Sequence, residues 1–272
     1  MKSSFFALPL LASLASAVCD YGTTFNPRSL DKRAPVATYD FHETTGALGW
    51  HGLNNNYKLC AKGKNQSPIN IETGAITQVA GSSLSFSVAS HPTGADFWNL
   101  GSTVQAFTNG TLVRSGKTYN LLQFHFHTPS EHHINSQHFS GEVHFVFQAA
   151  DNALSVVGFL IEVGSDNEAN PLLANIFENV ADIAVPGAEG LTGPLDFTEL
   201  AAHLQTSQVY QYSGSLTTPP CTQGIAWNVV ANPIYIDIAT YRAAKGVMGF
   251  NSRFTQNTPG QKNLIKHACD VL

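Results

Sequence analysis

The sequence predicts a single domain dominated by β-sheet, with short helices at its periphery. Two observations carry that expectation. Six short strand-like runs, residues 84–88, 103–107, 121–127, 142–148, 155–162 and 225–230, recur between turn formers such as Thr108-Asn109-Gly110 and Ser115-Gly116. Beyond residue 34, no linker, repeat or low-complexity tract interrupts them. Helical patterns are fewer, and the best are residues 170–182, 196–204 and 238–245.

A chain of 272 residues can bury one sizeable core. Hydrophobic residues make up 43% and charged residues only 12%, which is globular composition. A net charge of −5 without a long basic run argues against nucleic acid as a partner. The N-terminus combines Lys2, an apolar run over residues 5–14 and the small residues Ala15-Ser16-Ala17, the three parts of a secretory signal peptide over residues 1–17. Residues 18–33 end in the dibasic pair Lys32-Arg33 and read as a pro-segment, leaving residues 34–272 as the mature domain. Their removal takes away Lys2, Arg28, Lys32 and Arg33 against Asp20 and Asp31, so the net charge moves from −5 to −7. No later segment reaches the ~18 apolar residues of a membrane-spanning helix, so the mature form is expected to be secreted and free of the membrane. Asn109-Gly110-Thr111 is a glycosylation sequon at a turn, whereas Asn65-Gln66-Ser67 is followed by Pro68 and is discounted. Of Cys19, Cys60, Cys221 and Cys269, loss of the first leaves an odd number, and spacing alone does not say which two pair.

The chemistry concentrates in one stretch. Six of the eleven histidines lie between His125 and His144. In Gln123-Phe124-His125-Phe126-His127 the alternation is strict, so a strand sets Gln123, His125 and His127 on one face and both phenylalanines on the other. Glu142-Val143-His144-Phe145-Val146-Phe147 alternates likewise, with Glu142, His144 and Val146 sharing a face. Side by side, the two strands bring three imidazoles together. Three neutral imidazoles and an open fourth position are what a catalytic zinc ion takes, and its charge acidifies bound water. Gln123 and Glu142, each two residues before a ligand on the same face, can orient the rings. His132, His133 and His138, in the polar connection, read as surface residues.

A second metal family competes. His125-x-His127-x-x-x-Glu131 matches the cupin core, which would use Glu131 as a fourth ligand to iron or manganese. Cupins carry a glycine six residues before the first histidine, where Tyr119 stands, and another where His138 stands. A zinc-protease reading fails because no His-Glu-x-x-His occurs.

Several separate motifs then decide. Tyr212-Ser213-Gly214-Ser215-Leu216-Thr217-Thr218-Pro219-Pro220-Cys221 closely resembles a signature stretch of α-type carbonic anhydrases. So do Gln123 to His127, Ser130-Glu131-His132, Glu142-Val143-His144, Gln66-Ser67-Pro68-Ile69-Asn70-Ile71 and Asn251-Ser252-Arg253, in the family's order, from about Tyr39 to the C-terminus. The resemblance implies a large, twisted, mostly antiparallel sheet with zinc at the base of a cleft. It implies reversible hydration of carbon dioxide to bicarbonate by zinc-bound hydroxide. Residue by residue, it makes His125, His127 and His144 the zinc ligands, with Gln123, Glu142 and Asn251 behind them. It makes Thr217 a donor to Glu131, sets Thr218 beside bicarbonate, and lines the substrate pocket with Val146, Val156, Leu216, Ile225 and Trp227. It also implies a Cys60–Cys221 disulfide and cis bonds at Ser67-Pro68 and Pro219-Pro220. Cys269 is then left over, which points to an intermolecular disulfide and a homodimer.

Two departures stand out. The position that holds a proton-shuttling histidine in many fast members is Ser102, which does not titrate near neutral pH, with His42 and His51 as other candidates. A tyrosine usual near the N-terminus is replaced by Phe41, which removes a hydroxyl from the site. The competing reading from another class is a catalytically silent, extracellular binding module of the same fold; such relatives generally lack a zinc histidine, and this chain keeps all three.

Overall fold

The computed structural model describes residues 35–271, so the signal peptide, the pro-segment and Cys19 lie outside the described residues. Among the described residues, thirteen strands follow one another: β1 (Asn70–Ile71), β2 (Thr77–Ala80), β3 (Ser85–Val88), β4 (Asp96–Asn99), β5 (Val104–Ala106), β6 (Gly110–Arg114), β7 (Lys117–His127), β8 (His133–Ile134), β9 (Gly141–Ala149), β10 (Leu154–Val163), β11 (Glu189–Leu191), β12 (Gln208–Ser215) and β13 (Gln223–Ile236). Eleven of them form one sheet, ordered β11-β4-β5-β7-β9-β10-β13-β12-β2, with β6 also pairing β7 and β3 pairing β6; β1 and β8 pair separately. The large sheet is antiparallel except at its centre, where β10 and β13 run parallel.

All six predicted strands are present, with ends shifted by a few residues. The turn at Ser115-Gly116 takes positive φ at both residues, 50° and 75°, the twist-matched conformation that lets β6 reverse directly into β7. β12 was not expected, because Gln208–Ser215 is largely polar; its pairing with β13 on one side and β2 on the other makes it a strand. The predicted helix over 170–182 breaks in two. Asn170 caps Pro171–Phe177, and Asn179 leaves helical geometry (φ −106°, ψ 20°) before a single tight turn at Val180–Ile183. The helix predicted from 238 runs to Met248, its first turn capped by Asp237, whose carboxylate accepts from the amides of Ala239 and Thr240.

Alternation gives the sheet two different faces. Phe124, Phe126, Phe145, Phe147 and Phe159 project to one side and pack with Leu172, Ile176, Phe177, Leu200 and Leu204 from the covering helices. Phe124 and Phe145 stack across the β7–β9 pair with centroids 5.0 Å apart. Each such ring contributes roughly 1.5–3 kcal/mol by burial, so this layer anchors the two strands on which the histidines stand. On the opposite face, Val146, Val156, Leu216, Ile225 and Trp227 form a second apolar cluster with Ile69, Ile71 and Val229.

Cys60 and Cys221 are joined, tying the N-terminal region to the loop that carries Thr217 and Thr218 across 161 residues of sequence. Both expected cis bonds are present, with a third at Thr128-Pro129. Replacing both bridged cysteines with serine is expected to cost about 2–5 kcal/mol, because the bridge closes a long loop in the unfolded chain. Urea unfolding of the double variant with an unshifted midpoint would contradict this.

Candidate metal centre

The pairing of β7 with β9 sets the site. A one-residue bulge at Leu122 shifts the register, and beyond it Gln123 lies opposite Val146, His125 opposite His144, and His127 opposite Glu142. All six side chains therefore share one face. The three imidazoles face each other with centroids 4.6 to 5.2 Å apart, and all three are buried.

In each ring, one nitrogen is held and the other is left. His125 Nδ1 bonds Gln123 Oε1 at 2.9 Å, His127 Nδ1 bonds the Asn251 carbonyl at 2.8 Å, and His144 Nε2 bonds Glu142 Oε1 at 2.8 Å. The bond from His144 leaves its Nδ1 facing the centre, whereas His127 presents Nε2, a buried atom with no hydrogen-bond partner. One nitrogen from each of the three rings lies within 4.8 Å of the others. Three inward imidazole nitrogens at that spacing, with His127 Nε2 buried and unpartnered, fit a zinc-type cation that accepts all three lone pairs. Burial, and then the neighbouring imidazoles, hold the His125 pKa well below its usual value, and burial likewise lowers that of His127. Both rings are thus neutral at pH 7, the state that a metal ligand requires.

Glu131 does not join this ligand set. Its Oε2 lies 3.5 Å from His127 Nε2 and 4.0 Å from His144 Nδ1, and its Oε1 accepts the backbone N–H of Arg253 at 2.9 Å. The cupin arrangement, with this carboxylate as fourth ligand, is not the one the fold builds. Thr217 and Thr218 are buried, and the bond expected from Thr217 to Glu131 is not among those formed: Glu131 Oε2 has no hydrogen-bond donor.

Behind the triad lies a fully buried polar network. Glu142 Oε1 accepts from both His144 and His132, each at 2.8 Å, and Oε2 accepts from the amides of Glu131 and His132 at 2.9 and 2.8 Å. Burial alone would push this carboxyl up, but His132 and His144 beside it, and the bonds they make, hold it well below the usual carboxylate range. His132, read from sequence as a surface residue, is therefore corrected: it is fully buried, and its Nε2 pairs with Tyr212 Oη at 2.7 Å. The polar surroundings of His132 in sequence conceal that they fold inward onto Glu142. Gly158, opposite His144 on β10, is part of the same construction, since a Cβ there would come within 2.9 Å of Glu142 Oε1. Trp227 closes the side, its ring 4.8 Å from His144 and 4.7 Å from His132.

The far ends of the chain complete the site. Asn251 supplies its carbonyl to His127, and its side chain reaches the carbonyls of Ser102 and Phe126. Arg253 is buried, its guanidinium on the carbonyls of Ser67 and Cys60 and on Gln66 Oε1, and burial lowers its pKa to about 10. Ser102 is buried as well. Phe41 carries no hydroxyl, as expected, yet the site is not without one, because Tyr39 is buried against Trp50 with its hydroxyl beside Thr218 and Ser102. Nothing in the sequence marks Tyr39, which stands in an irregular segment with no period to fix its side-chain direction. His42 and His51 are exposed on the same N-terminal segment.

Comparison with known proteins fits this geometry. The eukaryotic-type carbonic anhydrase family matches residues 45–264. The fungal α-carbonic anhydrase of Aspergillus oryzae is 42% identical and superposes with a TM-score of 0.83, covering 86% of this chain and 99% of that one. The α-carbonic anhydrase of Thermovibrio ammonificans, in complex with the inhibitor sulfanilamide, is 32% identical with a TM-score of 0.71, over 83% of this chain and 97% of the other. A carbonic anhydrase of Pectobacterium atrosepticum is 38% identical over 188 residues, 68% of this chain and 72% of the relative. With a family match over most of its length and a sheet that superposes on those of solved members, the chain belongs to the eukaryotic-type, or α, carbonic anhydrase family.

Proposed function

We propose that this chain hydrates carbon dioxide reversibly to bicarbonate and a proton at a zinc ion held by His125, His127 and His144. The observation that carries the reading is the set of three inward imidazole nitrogens within 4.8 Å of one another, with the outer nitrogens held by Gln123, Asn251 and Glu142. When bound, the ion supplies a Lewis acid that brings the pKa of water at its open position to ~7, this family being the reference case for that value.

The remaining roles belong to the chain. Gln123, Asn251 and Glu142 fix tautomer and tilt, so that no imidazole must reorient to ligate. Glu131 Oε2 is left without a donor in this structure, and Thr217, buried and next in sequence to Thr218, is the donor proposed for it once the site is loaded. The lone pairs of the Thr217 hydroxyl then face the attacking water, which aims that water at carbon and disfavours protonated anions in its place. Thr218 lies beside the bicarbonate that forms. Carbon dioxide is small and apolar and needs an apolar wall, which Val146, Val156, Leu216, Ile225 and Trp227 supply as one cluster. Each turnover consumes one water: its oxygen joins carbon as one carbon–oxygen π bond opens, and one of its protons, lost as that water ionises, has to reach solvent. Ser102 does not titrate near neutral pH, and burial pushes the Tyr39 phenol well above its usual range, so neither releases it.

We further propose that the protein is secreted after loss of residues 1–17 and 18–33, leaving 34–272. The Cys60–Cys221 bridge supports an oxidising route, and Asn109 is exposed, as a glycan acceptor must be. No helix among the described residues is long and apolar enough to cross a membrane. Cys269, exposed and unbridged near the end of the helix Leu264–Val271, is proposed to link two copies.

Stopped-flow measurement on the mature protein is expected to show rapid carbon dioxide hydration that chelation abolishes and zinc restores, with about one zinc per chain. Bound zinc without hydration would sink the proposal. Turnover is expected to rise strongly with buffer concentration, because no titratable group stands at position 102; a rate independent of buffer would reveal another proton path. On non-reducing gels the wild type is expected to run as a dimer and Cys269→Ser as a monomer, and two monomers would refute the intermolecular bridge.

A further inference from the structure

Outside the metal centre, the fold brings a second pair of imidazoles together at a hairpin tip. Beyond β8 the chain turns back through Asn135 and Ser136, whose φ angles are 49° and 66°. Two successive positive φ values make the tight two-residue turn of a β-hairpin. Ile134 and Gln137 close it with reciprocal backbone hydrogen bonds of 2.9 and 3.0 Å. His133 and His138 are the next residues outward, a non-hydrogen-bonded pair, the class whose side chains share a face and approach most closely. Their ring centroids are 5.9 Å apart and their planes inclined by 52°. In the buried triad, rings aimed at one point stand 4.6 to 5.2 Å apart. An ion about 2.0–2.1 Å from each ligating nitrogen in tetrahedral geometry holds two ring centroids about 5.2 Å apart, so the exposed His138 ring has to close by somewhat under an ångström to share an ion with His133.

The hairpin is held rather than loose. β8 pairs with β1, the Asn135 amide donates to the Ile71 carbonyl at 2.9 Å, Asn135 Oδ1 accepts from the Thr73 amide at 3.0 Å, and the Ser136 amide donates to Asn70 Oδ1 at 2.7 Å. Two ligands fixed in advance lose little freedom on binding. Neither ring is committed elsewhere. No hydrogen bond to the His133 ring is formed among the described residues, and His138 has only a long Nδ1 contact, 3.4 Å, to the Phe139 carbonyl. His138 is exposed and His133 half-buried, so both are open to an ion from solvent. Burial, and then the charge of His138, lower the His133 pKa, which favours its neutral, ligating form.

We infer that His133 and His138 form a second, peripheral site for a borderline divalent transition cation such as nickel, copper or zinc, with water completing its coordination. The site shares no ligand with the metal centre and stands whether or not the chain is catalytic. An ion there braces the connection between β7 and β9. Ser130 Oγ ties the outward strand to the return strand, donating to the His132 carbonyl and accepting from the Phe139 amide at 2.9 and 2.8 Å.

Calorimetric titration of zinc-loaded, tag-free protein with Ni²⁺ tests the assignment, with zinc content measured before and after. The wild type is expected to bind one further equivalent without losing its zinc. His138→Ala, at an exposed position, and His133→Ala are each expected to abolish that uptake and keep the same zinc content. No further uptake by the wild type, or uptake that survives both substitutions, overturns the site.

Discussion

The register between β7 and β9 is the constraint on which the rest depends. It sets His125 opposite His144 and His127 opposite Glu142, and a slip of one residue would turn every one of these side chains to the helix-covered face. The same register puts Phe124 opposite Phe145 and Phe126 opposite Val143 on the other side. Packing of those rings and recruitment of the imidazoles are therefore one event: the apolar layer cannot form without presenting the ligands.

Placing three imidazoles and two carboxylates in a buried pocket is costly unless each polar atom finds a partner. Glu142 meets that requirement most completely, with four donors on its two oxygens and a glycine, Gly158, giving it room. Its ionised state in turn fixes which nitrogen His144 turns to the centre. Among the buried polar atoms left without a partner, His127 Nε2 and Glu131 Oε2 lie 3.5 Å apart beside the three imidazoles, where a cation and a water belong. A folded protein that satisfies the outer ring nitrogens so fully and leaves the inner ones open has been organised around a cation.

Much of the site was legible in sequence because a strand has period two. Gln123, His125, His127, Glu142 and His144 could be assigned to common faces from alternation alone, and the apolar positions between them to the core. What stayed hidden came from loops, where no period constrains direction. His132 sits among polar residues and looks exposed, yet it bonds Glu142 and Tyr212 in the interior. Tyr39 delivers a hydroxyl to the site from a segment whose side-chain directions are set by packing on Trp50. Resemblance anticipated the role of the Asn251 carbonyl, but spacing could not have found a backbone acceptor 124 residues away from His127. The parallel β10–β13 pair at the centre of the sheet was equally invisible, since strand order is decided by long-range packing.

Zinc K-edge X-ray absorption on the zinc-loaded protein tests the central claim most directly, because it reads the donor set itself. The account predicts three nitrogen donors at about 2.0–2.1 Å and one oxygen from water, with one nitrogen lost in His144→Ala. A carboxylate from Glu131 in the first sphere, sulfur donors, or a spectrum unchanged by removal of His144 would contradict it.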